Sequence, residues 1–201
     1  MGDRPSALPP QHPPRGARNT DVEDADLARR AQKGDDGAFG GLVERYGLQA
    51  RRVAAAILGP GEDADDAVQD GFVAAWRNIG RFDVGRPFRP WLMRIVSNAA
   101  LDLNRRRKVR QAAPLPEHVE SSLPAPDRGT DSVLFRERLR EALAGLPERQ
   151  RVAVVMFDAE GYGHAEIAEV LGVPEGTVRS YVFHARRALR KALGVFKEDL
   201  T

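Results

Sequence analysis

GHAEIAEVLGVPEGTVRSYVFHARRALRK, running from Gly163 to Lys191, reads as a helix-turn-helix followed by a basic extension. With His164 as the first residue of the unit, Ala168 supplies a small side chain where two helices approach closely. Gly172 falls at the turn, where a residue free to take positive φ is needed. Pro174 opens the second helix, at a position where a missing N–H costs nothing. Val178 and Val182 stand one helical turn apart and form that helix's buried face. Thr177, Arg179, Ser180, Phe183, His184, Arg186 and Arg187 are left on its other faces, and part of that set can enter a major groove. The same spacing also suits a helical hairpin with a solvated basic face. The small residue, the turn glycine and the apolar spacing agree, however, and together they favour DNA binding.

Outward from this stretch, the 201-residue chain is long enough for one large domain or two small ones. It has no cysteine, which excludes disulfides and Cys-ligated zinc and fits a reducing compartment, so a cytoplasmic location is expected. No run of apolar residues is long enough for a membrane span, and no membrane contact is expected. The proline-rich residues 1–20 lack the apolar core of a signal peptide and are expected to be a disordered tail. Charge is segregated: residues 21–71 carry 12 acidic and 6 basic side chains, whereas residues 72–111 carry 10 basic and 2 acidic. An acidic block followed by a basic one implies two different partners, one of them polyanionic.

The apolar periodicity is helical throughout. Leu27, Ala31, Phe39, Leu42, Val43 and Tyr46 recur at three- and four-residue intervals, as do Val53, Ala56 and Ile57. Gly59-Pro60-Gly61 is a break, and a helix from Glu62 to Asn78 follows it with an acidic first turn that suits the helix dipole. Gly80 to Pro90 is expected to be loop and Trp91 to Arg107 helix. Residues 109–132, rich in proline with few large apolar groups, read as a flexible linker. The expected architecture is therefore all-α: a domain over 21–108, the linker, a second helical domain over 133–195 containing the helix-turn-helix, and a short tail over 196–201.

Two other segments carry chemistry. On the helix from Glu62, Asp66, Gln69, Asp70 and Arg77 lie close to one exposed stripe, which reads as a protein-docking surface. Glu62, Asp66 and Asp70 also have the spacing of a carboxylate metal site. No histidine lies nearby, so the arrangement of di-iron bundles is absent, and no metal or cofactor is expected. From Arg86 to Arg110, aromatics alternate with arginines and end in the run Arg105-Arg106-Arg107-Lys108. Phe82, Phe88 and Trp91 beside these cations suit a platform on which unstacked bases sit while cations hold the backbone. Trp91 taken alone reads as core.

The order of these pieces resembles the extracytoplasmic-function (ECF) class of bacterial sigma factors. Gly34-Asp35 with Ala38-Phe39, then Asp66-x-x-Gln69-Asp70-x-Phe72-x-x-x-Trp76, then Phe88-x-x-Trp91-Leu92 with Asn98 and Asp102, resemble sigma region two. Leu146-Pro147-x-x-x-Arg151, Glu166-Ile167-Ala168 and Gly172-Val173-Pro174-x-Gly176-Thr177-Val178 resemble region four. The resemblance covers roughly Asp26 to Leu193. It implies that Asp66, Gln69, Asp70, Phe72, Trp76 and Arg77 dock on the coiled-coil clamp of core RNA polymerase. It implies that Phe82, Phe88, Arg94, Asn98, Arg105 and Arg106 capture and melt the −10 element. Thr177, Arg179, Ser180, Phe183, His184 and Arg187, within the helix-turn-helix over 164–187, would read the −35 element. The implied partners are core polymerase, promoter DNA both duplex and melted, and an anti-sigma factor of the kind that holds many relatives inactive. No catalytic residue is called for, so no enzymatic activity is expected.

The chain departs from the family at two places. Tyr181 and His184 stand where arginines are usual, and Tyr162-Gly163-His164 replaces the common serine-tyrosine start, which predicts a weaker helix cap. Within transcription, the rival reading is a stand-alone helix-turn-helix regulator with a helical sensor domain.

Overall fold

In a computed structural model, residues 15–112 and 131–194 are described, and all regular structure among them is helical. The first domain contains α1 (Arg15–Ala31), α2 (Asp36–Leu58), α3 (Glu62–Asn78) and α4 (Phe88–Ala112), with a short 3₁₀ turn at Ile79–Arg81. The second contains α5 (Asp131–Ala144), α6 (Glu148–Val154) with a π turn over Val155–Ala159, α7 (His164–Leu171) and α8 (Glu175–Leu193). Residues 1–14, 113–130 and 195–201 lie outside the described residues, and the ends of the expected linker extend α4 to Ala112 and begin α5 at Asp131. The tail expected over 1–20 gives way to α1 at Arg15.

Asp35 starts α2 by accepting a hydrogen bond from the Ala38 N–H at 3.0 Å, and Arg30 grips the same carboxylate at 2.8 Å. That N–H, and then Arg30, hold the Asp35 carboxyl below its usual pKa. The chain leaves α2 through Gly59 at φ 87°, a conformation glycine adopts without strain, so the predicted break is real. Behind α2, Asp24 of α1 is fully buried and accepts hydrogen bonds from Arg45 at 2.5 Å and from the Tyr46 hydroxyl. Burial nevertheless raises the Asp24 pKa, because desolvation outweighs the two donors.

α3 and α4 approach each other at Gly71. A Cβ there would stand 2.8 Å from Val96 Cγ2 and 3.0 Å from its Cα, so alanine would cost about 1–3 kcal/mol of overpacking. The expectation of loop through Pro90 is corrected. Helix α4 begins at Phe88, and Pro90 sits in its first turn, where the N–H groups have no intrahelical acceptor to lose.

The two domains pack against each other, and one buried apolar cluster runs from Ala28 in α1 to Val182 in α8. Arg151 of α6 joins them. Its guanidinium donates to Ala56 O and Ile57 O at the C-terminal end of α2, and to Ala144 O and Leu146 O of its own domain. The end of α2 carries the negative pole of its dipole, so a fixed cation there is favoured.

Candidate protein and nucleic-acid interfaces

Four of the five acids of α3 divide into two pairs. Asp63 pairs with Arg107 of α4 at 3.2 Å and Asp65 with Arg51 of α2 at 2.7 Å, so these two hold the helix to its neighbours. Asp66, Gln69, Asp70 and Arg77 are exposed and make no ion pair among the described residues. Their spacing sets them on one stripe, as the sequence predicts. Sequence reasoning missed the stripe's centre, Val73, an apolar side chain that is 41% exposed. Its offsets of four from Gln69 and seven from Asp66 were the available signal.

Phe72, expected in the docking set, is not an exposed member of the stripe. Its ring is buried, in edge-to-face contact with Phe39 at 6.5 Å, because position 72 lies on the helix face that meets α2. It reaches the surface only as the floor of an open groove of about 360 Å³ lined by Asp36, Phe39, Phe72, Val73 and Trp76. Trp76 is half-buried and packs on Phe39 at 4.9 Å, so this apolar groove borders the charged stripe directly.

The aromatic platform expected at the start of α4 is also corrected. Phe82 and Phe88 are 5% and 1% exposed, and with half-buried Trp91 they form a cluster whose ring centroids lie 4.9–5.4 Å apart. Gln32, in the turn just after α1, donates to Ile79 O at 2.9 Å and Phe82 O at 2.7 Å, which fixes the 3₁₀ turn and directs Phe82 inward. Large rings so close in sequence gain more by burying one another than by facing water. What α4 does present is a polar stripe of Arg94, Asn98, Asp102 and Arg105, all exposed, with Arg105 tied to Asp102 at 2.9 Å. Arg106 is exposed on an adjoining face.

In the second domain, Gly172 takes the left-handed conformation at φ 63°, ψ 38° and closes the turn as its sequence position predicts. The loss of a side-chain cap at Gly163 is offset from the other side. Glu166 accepts a hydrogen bond from the Gly163 N–H at 2.8 Å, the reverse half of a capping box. Val178, Val182 and Ala185 of α8 are buried. Arg179, Ser180, Phe183, His184 and Arg187 are exposed on contiguous turns, spanning ~12 Å of helix, with half-buried Thr177 at their start. Phe183 is 58% exposed and meets His184 edge-on at 5.4 Å. Arg179 pairs with Glu175 at 2.6 Å. Arg186 is used within the fold, bound to Asp158 and placed over the Phe157 ring at 4.9 Å. His164 stacks on the same ring at 4.4 Å, and burial, helped by nearby Arg179, pushes its pKa down.

Among the described residues no three histidine, aspartate or glutamate side chains converge on a metal position, Glu62, Asp66 and Asp70 included. No described helix is long and apolar enough to cross a membrane.

Residues 42–110 match the family model for Sigma-70 region 2, and residues 136–189 match that for Sigma-70, region 4. The chain is 42% identical over 171 residues to the ECF RNA polymerase sigma factor SigM of Mycobacterium tuberculosis, covering 85% of each chain. The protein belongs to the ECF sigma factors. Among solved structures it resembles CnrH in complex with the cytosolic domain of CnrY, at a TM-score of 0.66 and 32% identity, over 86% of this chain and 98% of that one. It also resembles the sigma factor RpoE in complex with the anti-sigma factor NepR from Bartonella quintana, at a TM-score of 0.64 and 26% identity, over 78% and 97%. As a sigma factor it binds core RNA polymerase and promoter DNA and directs transcription initiation, and the reading as a stand-alone regulator is not favoured.

Proposed function

We propose that this sigma factor divides its work among three helix faces. The stripe of Asp66, Gln69, Asp70, Val73 and Arg77 on α3, with the groove floored by Phe72 and Trp76, docks on core polymerase. Arg94 and Asn98 on α4, with Arg105 and Arg106, engage the −10 element, and Asn98 supplies both a donor and an acceptor to an unstacked base. Phe82 and Phe88 support that face from behind. Arg179, Ser180, Phe183, His184 and Arg187 on α8, preceded by Thr177, lie in the major groove of the −35 element.

The observation that carries this reading is the contrast within α3. Two of its acids are spent on ion pairs inside the fold, while two more stand unpaired beside an exposed valine and an apolar groove. An apolar centre with a charged border is the anatomy of a protein interface. Membership of the sigma factors supports reading the chain as a non-catalytic factor that acts in the cytoplasm with polymerase. The solved relatives bound to CnrY and NepR support a regulatory protein partner for this chain as well. Run-off transcription with purified core polymerase tests the whole reading. Promoter-specific transcripts are expected only when the chain is added, and their absence across a library of promoters would refute it.

A further inference from the structure

Gln32 grips the end of α3 from outside the stretch matched to Sigma-70 region 2, which begins at residue 42. Its side-chain amide gives both hydrogens to main-chain carbonyls, Ile79 O at 2.9 Å and Phe82 O at 2.7 Å. These two oxygens bracket the 3₁₀ turn, and Ile79 O also accepts the Phe82 N–H at 3.0 Å. Carbonyls at a helix end have no intrahelical donor, and Ile79 and Phe82 are themselves buried, so a donor from elsewhere in the fold is needed.

The amide is held as firmly as it holds. The Gln32 N–H donates to Ala28 O at 2.9 Å, Gly34 turns the chain at φ 89°, and the Asp35 N–H returns to Arg30 O at 3.2 Å. The place of Phe82 is therefore set by α1 and the turn after it as well as by α3. From Phe82 the constraint passes to α4. Its ring meets Phe88 at 5.3 Å and Trp91 at 4.9 Å, both in the first turn of that helix. Trp91 stands three residues before Arg94 and seven before Asn98, so the three share one side of α4. Phe88 has a second hold, because its ring lies 5.9 Å from that of Tyr46, whose hydroxyl donates to buried Asp24. Loss of the Gln32 hydrogen bonds thus releases the Phe82 side of the aromatic cluster and leaves the core beneath it in place.

We propose that Gln32 is a positioning residue for −10 recognition, a role that rests on the reading of the α4 stripe as the −10 face. Through Phe82 it sets the pose of the first turn of α4, and with it the aim of Arg94 and Asn98. A site that reads bases by hydrogen bonds must be held to within ~0.5 Å, since such bonds weaken steeply as distance and angle drift. A simple cap on α3 stabilises every function of the domain alike. A positioning residue changes how well one base is told from another.

Gln32→Met keeps the length of the side chain and removes both donors, while Gln32→Lys returns donors at nearly the same reach. Each full-length variant, with core polymerase, transcribes a promoter library randomised through the −10 and −35 elements, and the transcripts are sequenced. In Gln32→Met, base preference at one or more −10 positions should flatten severalfold, with −35 preferences at parent values. Gln32→Lys should restore the −10 preferences. Hydrogen exchange in the free chain reads the clasp directly: the Phe82 N–H should exchange faster in Gln32→Met, with the amides of α2 unchanged. Unchanged exchange at Phe82 would overturn the clasp. Faster exchange with lower output but intact −10 preferences would reduce Gln32 to a cap and overturn the positioning role. Preferences at −10 that survive Arg94→Ala with Asn98→Ala would instead sink the reading of the α4 stripe, and the role of Gln32 with it.

Discussion

Helices α3 and α8 each present a band of polar side chains around one exposed apolar residue, Val73 in one and Phe183 in the other. They differ in sign and in how their charges are tied down. On α3 the exposed acids Asp66 and Asp70 are unpaired among the described residues, while their neighbours Asp63 and Asp65 are locked to α4 and α2. On α8 the cations are partly held from within the domain, Arg179 by Glu175 and Arg186 by Asp158. Free acids beside an apolar groove suit a protein partner whose own cations complete them. Cations oriented by local acids, along a helix whose opposite face is packed, suit a partner whose charge repeats regularly, as phosphates do.

The contrast breaks most sharply at α3. Asp66→Lys with Asp70→Lys should weaken binding to core polymerase by at least ~2 kcal/mol, roughly thirtyfold or more, with little change in folding. Asp63→Ala with Asp65→Ala should do the opposite, lowering stability by about 1 kcal/mol or less per pair while leaving polymerase binding near the parent level. Co-purification and denaturant melts separate the two pairs. If a folded Asp66/Asp70 variant co-purifies normally, α3 is not the docking face.

The next effect is on α4. Asn98→Ala should bind polymerase normally yet lose roughly tenfold or more in run-off from duplex promoters, in line with ~1–3 kcal/mol per recognised base pair. A template with a pre-melted bubble should recover part of the loss. Equal impairment on both templates would place Asn98 in the fold and not in melting.

How much of this was legible in the sequence depends on the kind of information each residue carries. Gly172, Pro174, Val178 and Val182 obey local rules of φ, N–H supply and helical period, and the structure places each where the sequence does. The exposed stripe on α3 followed from spacing alone, although Val73 at its centre is apolar and carries no charge to mark it as a surface residue. Phe82 and Phe88 misled because aromatic residues among arginines describe both a stacking platform and a core under a basic surface. What decides between them is Gln32, 50 residues from Phe82 in sequence, fixing the turn. The pairing of Glu160 with Arg52 spans 108 residues, and no periodicity reports a contact at that distance.

On α8, His184→Arg should tighten promoter binding by holoenzyme and steepen its salt dependence by about one counterion, roughly threefold in affinity across a fourfold change in salt. Position 184 lies one turn from Ser180 and Arg187 on the exposed band, so under the proposed −35 reading a permanent charge there would reach phosphates beside theirs. Identical salt slopes for the two proteins would take position 184 off the DNA and leave the band to Arg179, Ser180, Phe183 and Arg187.

The smallest effect lies behind α8, where His164 stacks on Phe157 with Arg179 and Arg186 close by and Glu175 opposing them. Burial, the largest cause, and then Arg179 depress its folded pKa below the value of 6.5 that it has when unfolded. As pH falls through that value the unfolded chain takes up a proton before the folded one does. Stability of the second domain is therefore full above about pH 6.5 and declines as pH drops below it. His164→Phe keeps the ring against Phe157 and removes the proton, so its melting temperature should lose this slope between pH 7 and 5 while remaining close to the parent at pH 7.5. The charges on the outer face of α8 do not change in that variant. Promoter binding at pH 7.5 should then match the parent, which separates the residue that seats the reading helix from those that touch the DNA. A variant that retains the full pH slope would assign the decline to carboxylates elsewhere in the fold, with Asp35, whose folded pKa is also depressed, contributing only as the pH approaches the carboxylate range.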